Sequence, residues 1–220
     1  MTDAPHPWSE VGWELGDEPG TIELASSTRG LIAAIRRADA PSDDLLRARA
    51  LIEEATALLA PHLVTRLPMQ GRRGERGPGS GASDLQPTEF FPWSPVLGPL
   101  NPISPPIDIA FDGERIHGTM TLQAPYNGPP GMVHGGIIAL VFDEILGACN
   151  VCHGLGAFTG TLSVRYEKPT LIDTPHELES WLDRVEGRKV FTKGVIRRDG
   201  EITASAEGIF IRTPEWSSPK

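Results

Sequence analysis

Long apolar runs, positive charge and cysteine are all scarce in this chain of 220 residues. No apolar stretch approaches the roughly 20 residues that a bilayer-spanning helix needs. The opening, MTDAPHPWSEVGWELGDEPG, is acidic and interrupted by proline. It has neither the basic start nor the apolar core of a secretory signal. These absences lead us to expect a soluble cytoplasmic protein without a membrane partner. The formal net charge is −9, and only residues 61–88 carry more bases than acids, four against two. No long span is strongly basic, so nucleic acid is not expected as a partner. An anionic ligand would need a locally basic patch.

The two cysteines lie together in Cys149-Asn-Val-Cys152-His153. Read literally, this is the pattern of covalent haem attachment. That chemistry belongs to exported proteins, and no export signal is seen. The motif also ends an apolar helical run, where small residues simply pack. There is no second ligand pair at a spacing that suits zinc. Packing is therefore favoured, and neither a metal nor a cofactor is expected.

A hydrophobic share of 39% and a mean hydropathy of −0.18 allow one domain with a sizeable extension. We divide the chain into an extension, 1–88, and a domain, 89–220. Residues 1–20 read as irregular, and 24–39 and 42–60 as amphipathic helices. In the second, Leu45, Leu46, Ala48, Ile52, Ala55, Leu58 and Leu59 recur at helical spacing. Ser42 is placed to cap it and Pro61 to end it. The pair reads as a packing or dimerisation hairpin. Residues 67–88, rich in Gly, Pro, Ser and Arg, read as a flexible linker. Residues 89–106 alternate prolines with aromatics and should lie extended against a surface.

From residue 107 the pattern becomes that of strands. IDIAFDG and ERIHGTMTLQAP meet at Asp112-Gly113, a hairpin signal. An apolar segment from Gly135 to about Cys152 follows. Four strand-like runs come after it, separated at Thr174-Pro175, Glu186-Gly187 and Asp199-Gly200. Two strands, one helix and four hairpin-linked strands imply an α+β domain, an antiparallel sheet with the helix on one face.

That helix, GGIIALVFDEILGACNVC, is apolar nearly all round, the mark of a buried helix. Asp143 and Glu144 are its only charges. A buried carboxylate needs a partner, water or a task. Neighbouring helix positions differ by about 100°, so one acid is expected to face a cleft and the other the surface. Gly135 and Gly136 open the helix. Side chains are missing there, and the first amides of a helix have no internal partner and carry the positive end of its dipole. Such amides can bind the developing oxyanion of an acyl transfer; an ordinary Gly-rich turn is the plain alternative. Gly135 and Asp143 stand about 12 Å apart along the axis. One helix cannot easily bring both to a single carbonyl, whereas two antiparallel helices of a symmetric dimer can.

GMVHGGIIALVFDE followed by TGTLSVRYEKP resembles the hotdog-fold acyl-CoA thioesterases of the phenylacetate-pathway type, the subgroup with HGG and an Asp nine positions after the His. The likeness covers about residues 107–213. It implies a six-stranded antiparallel sheet wrapped around a central helix, with subunits joined in pairs through their sheets, as a homodimer or dimer of dimers. It also implies hydrolysis of an acyl-CoA. Gly136 or Gly135 would polarise the thioester carbonyl, and Asp143 would act as general base or as nucleophile. His134 would orient the loop, touch the thioester, or merely cap the turn. Asn127 and Thr159 match positions that line the site in relatives; Thr161, two residues on, shares the face of Thr159 by the strand period. For the CoA phosphates the basic candidates are Arg165, Lys168, Arg188, Lys189 and Lys193. The competing functions are a non-hydrolytic acyl-CoA-binding or structural dimer, and a dehydratase, for which the His–Asp order is wrong.

Overall fold

The computed structural model describes residues 18–64, 70–71 and 86–212. Residues 1–17 of the irregular opening, and most of the linker at 67–88, lie outside them. α1 spans Glu18–Arg37 and α2 Ser42–Leu59. α1 begins before the apolar periodicity does, with Pro19 in its first turn, where a missing N–H costs nothing. It is fastened to the rest of the chain. Ala25 is buried, Arg29 donates to the Asn101 carbonyl at 2.9 Å, and Arg37 pairs with Asp173 at 2.7 Å.

α2 departs from expectation in two ways. Ser42 does not cap it: Pro41 stands at that position, and its carbonyl accepts from the amides of Asp44 and Leu45. None of its residues is buried, and Leu45, Leu46, Ile52, Leu58 and Leu59 are exposed. Among the described residues of one chain, the packing expected of the hairpin is carried by α1.

The proline-rich stretch also differs. It is not an extended layer on the surface. A short helix, α3 (Pro87–Phe90), leads into successive turns that carry Phe91, Val96 and Leu97 into the hydrophobic core. At Gly98 a Cβ would sit 2.4 Å from the Pro92 carbonyl oxygen, so these turns can close only around glycine.

β1 (Ile107–Phe111) and β2 (Arg115–Met120) form the expected hairpin. Asp112 Oδ1 accepts from the amides of Glu114 and Arg115 at 2.8 and 2.7 Å, and Gly113 takes a φ of 102°. The apolar segment forms α4 (Gly135–Cys152). Then come β3 (Ala157–Tyr166), β4 (His176–Glu186), β5 (Lys189–Arg198) and β6 (Glu201–Arg212). Every pairing is antiparallel, in the order β1-β2-β4-β5-β6-β3. β3 follows the helix in sequence but lies at the far edge of the sheet. α4 packs against β2, β3, β4, β5 and β6, the architecture implied by the resemblance.

The expectation that no apolar stretch approaches a membrane span is corrected: with a mean hydropathy of 1.6 over 18 residues, α4 is long and apolar enough to cross one. Here it is the core helix. Val141, Phe142, Ile145 and Leu146 are wholly buried against the sheet. Two buried hydrogen bonds fix its position: Ser180 donates to the Ile145 carbonyl at 3.0 Å, and Thr192 donates to the Asn150 side-chain oxygen.

Cys149 and Cys152 are free and buried in this core, and burial pushes both thiols up to about 12. His153 caps the helix end and contacts the Glu114 carbonyl oxygen at 3.0 Å through its ring. These are packing roles. At pH 8, a thiol reagent should therefore leave both cysteines of the native protein unmodified and label both in denaturant; fast labelling of the native form would contradict the packing.

Candidate active site

The middle and the start of α4 are tied to opposite ends of β3. Near its middle, Asp143 is half-buried, and the Thr159 hydroxyl donates to its Oδ1 at 2.8 Å. At its start, the Gly135 carbonyl accepts from the Tyr166 hydroxyl at 2.9 Å. His134 is the N-cap, and its Nδ1 accepts the Gly136 amide at 3.0 Å. The amides of Ile137 and Ile138 turn back to the His134 carbonyl. Among the described residues, the Gly135 amide has no hydrogen-bond partner. Of the two glycines named from sequence, one therefore offers a free donor and the other does not.

β3 carries an irregularity that decides between the two threonines. Thr159 pairs with Phe210 and Thr161 with Ile209, so Gly160 is an extra residue without a ladder partner. This bulge shifts the phase of the pleat. Thr159, before it, points inward with Leu162 and Val164. Thr161, after it, turns to the outer face with Ser163 and Arg165. The expectation that Thr159 and Thr161 share a face is thus corrected, and Thr159 is the one that reaches the carboxylate.

Asn127 lies on the loop entering the helix. It forms a β-bridge with Val133, and its side chain donates to the Gly128 carbonyl at 2.8 Å. His134 N–H donates to the Tyr126 carbonyl at 2.9 Å, and a Cβ on Gly128 would fall 2.8 Å from the His134 Cα. Asn127 and the helix start are therefore held side by side.

Glu144 does not face open solvent. It points into the proline-rich stretch, where the Ser94 hydroxyl donates to its Oε1 at 2.6 Å. Ser94 is fully buried, and its oxygen accepts in turn from the amides of Val96 and Leu97. Burial raises the Glu144 pKa, the Ser94 hydrogen bond opposes this, and the neighbouring Asp143 charge adds to it. The expected surface acid is not found: Glu144, like Asp143, is half-buried and hydrogen-bonded. Ser94 was not found from sequence. The available signal was that Glu144 needed a donor, but nothing in the sequence says which serine supplies it.

Of the basic candidates, Arg165 and Lys193 line one concavity on the outer sheet face, and the other three lie elsewhere. Lys168 follows the end of β3 and pairs with Glu201 at 2.6 Å. Arg188 and Lys189 sit at the opposite end of the sheet, where Lys189 is in register with Ile211. Those two ends are about 30 Å apart at the usual strand rise. Arg165 lies near Glu167, and Lys193 bridges Asp183 and Glu207, both on the outer sheet face. Among the described residues of one chain, the five are therefore not gathered into one rim.

The sheet, the central helix and the glycine–carboxylate pair on that helix define a hotdog domain. Comparison with known proteins agrees. The thioesterase superfamily model matches residues 130–205. The crystal structure of protein RHA08564, a thioesterase superfamily protein, is 31% identical, with a TM-score of 0.75; the match covers 90% of this chain and 94% of that one. Acyl-coenzyme A thioesterase THEM4 of Xenopus laevis is 38% identical over 91 residues, 40% of this chain and 41% of its own length. The same-named protein of Bos taurus is 37% identical over 98 residues, 43% and 40% of the two chains. The chain thus spans about two fifths of the length of these curated relatives. It belongs to the thioesterase superfamily.

The raised Glu144 pKa has a consequence for stability. A carboxyl group whose folded value exceeds its unfolded one, about 4.3, stabilises the fold fully below the unfolded value. That contribution is lost as pH rises through the folded value. Glu144→Gln keeps an acceptor for Ser94 and removes the ionisation. It should be more stable than the parent at pH 7, with the difference vanishing below about pH 4; chemical denaturation at both pH values provides the check.

Proposed function

We propose that the chain hydrolyses the thioester of an acyl-CoA to a free acid and CoA, at sites shared between two copies. The unit for this chemistry is residues 89–220, with 1–88 as an extension. One observation carries the reading: a half-buried carboxylate, Asp143, oriented by a hydroxyl, on a helix whose first glycine amide has no partner among the described residues. The thioesterases among the relatives support the choice of substrate.

In this reading Asp143 is the general base. Thr159 engages Oδ1, leaving Oδ2 to take a proton from water. The hydroxide so formed adds to the thioester carbonyl carbon. The oxyanion is held by the Gly135 amide and the positive end of the helix dipole. Collapse expels the CoA thiolate, and the proton taken by Asp143 returns to it. Gly136 is not the donor, because its amide is engaged by His134. His134 acts as the cap of this turn. Asn127 lines the entrance. Ile137 and Leu140 of α4, which keep exposed surface, supply acyl-binding surface, whereas Phe142 and Leu146 are wholly enclosed in the core.

The sharing of sites follows from β3. It is an edge strand, with Phe158 56% and Tyr166 53% exposed, and an open apolar edge invites pairing with another strand. Thr159 marks the carboxylate end of β3 and Tyr166 the glycine end. A two-fold axis between Leu162 and Ser163 would set each Thr159 against Tyr166 of the partner subunit. Asp143 of one copy would then face the Gly135 amide of the other. The same operation would bring Arg188 and Lys189 towards Lys168 of the partner subunit, assembling a phosphate-binding rim from both copies.

Asp143→Asn should lower kcat at least about 100-fold, the usual minimum for loss of a general base, with unchanged circular dichroism; thiol release from a panel of acyl-CoAs measures it. Near-native turnover would remove Asp143 from this role. Tight CoA binding by the parent chain without thiol release would favour the non-hydrolytic alternative. Complementation tests the sharing. Gly135→Val and Asp143→Asn should each be inactive alone. When they are unfolded and refolded together, about a quarter of native activity should return, since half of random dimers are mixed and each has one intact site. No recovery would mean that both groups act within one chain.

A further inference from the structure

We propose that Tyr166 is a positioning residue: it holds the Gly135–Gly136 peptide so that the neighbouring Gly135 amide stays aimed at the thioester carbonyl. This rests on the hydrolase reading above. The peptide is gripped at both ends. Its carbonyl accepts from the Tyr166 hydroxyl at 2.9 Å, and its N–H donates to His134 Nδ1 at 3.0 Å. The Tyr166 ring lies along the same glycine: a Cβ on Gly135 would meet ring atoms and the hydroxyl at 3.5 Å.

The need for such a grip comes from the two glycines. They keep the helix start open to a ligand, but they also give the backbone its greatest freedom where a fixed direction is wanted. An oxyanion donor is effective only if it is already aligned when charge develops. Residues with side chains would stiffen this turn by themselves; here the restraint has to come from outside. Tyr166 supplies it from β3, the strand that also carries Thr159. One strand therefore orients both halves of the reaction machinery, Asp143 near its beginning and the glycine turn at its end. The exposure of the Tyr166 ring argues that core packing is not its main task.

Tyr166→Phe keeps the ring and removes the hydroxyl. Amide hydrogen exchange over residues 133–139 should quicken about fivefold, the factor a single net hydrogen bond supplies. kcat on an acyl-CoA should fall by a similar factor, with KM changed less than about twofold, since the hydroxyl is committed to backbone rather than to substrate. Native exchange rates in that turn would overturn the proposal, as would exchange quickened equally throughout α4 and β3. An unchanged kcat in a variant whose turn has loosened would overturn it too. If the parent chain releases no thiol, the hydrolase reading falls alone, and the exchange measurement still decides what Tyr166 does.

Discussion

A helix as apolar as α4 can be buried only if the two carboxylates near its middle are provided for. Asp143 and Glu144 are adjacent, so they leave the helix in directions about 100° apart and cannot share a donor. The molecule answers with two hydroxyls from opposite sides. Thr159 reaches Asp143 from the edge of the sheet, and Ser94 reaches Glu144 from the proline-rich stretch. Much else follows from these two bonds. The stretch before β1 has to turn inward so that Ser94 is buried, and it brings Phe91, Val96 and Leu97 into the core with it. β3 has to lie beside the helix, even though its ladder partner is β6, the last strand of the chain. The two acids end in different circumstances. Glu144 is enclosed by its own chain, whereas Asp143 lies beside the open edge strand.

Legibility was high wherever a local rule sufficed. Asp112-Gly113 announced the first hairpin, the apolar period announced α4, and turn residues separated the last four strands. The glycine pair and Asp143 stood out because glycine at a helix start and charge in an apolar helix are both locally anomalous. What stayed hidden depended on tertiary partners. Prolines spaced through 89–106 suggest an extended chain, because proline removes a donor and fixes φ. They do not reveal that the serines and glycine between them close turns against a carboxylate 50 residues away. α2 carries the apolar period of a packed helix, yet none of its residues is buried among the described residues of one chain. Periodicity reports that a face exists and not what covers it.

The basic residues show a different limit. Arg165, Lys168, Arg188, Lys189 and Lys193 fall close together in sequence, and proximity suggests a cluster. Strand order keeps only Arg165 and Lys193 together. A hairpin sends consecutive residues to one end of a sheet and the next turn to the other, and β3 is set apart from β4 by β5 and β6. Sequence distance therefore says little about which charges can meet. A symmetric partner alters the count, because reversing an edge strand exchanges the two ends.

The bulge at Gly160 gives β3 two frames. Side chains up to Thr159 are counted in one phase and those from Thr161 onward in the other. Any comparison that slides a straight strand along this one will match either the Thr159 hydroxyl or the Tyr166 ring, but not both, unless a gap is opened at the glycine. A relative without the extra residue would have to supply its hydroxyl one place away, and an ungapped alignment would report a difference in chemistry where there is only a difference in spacing.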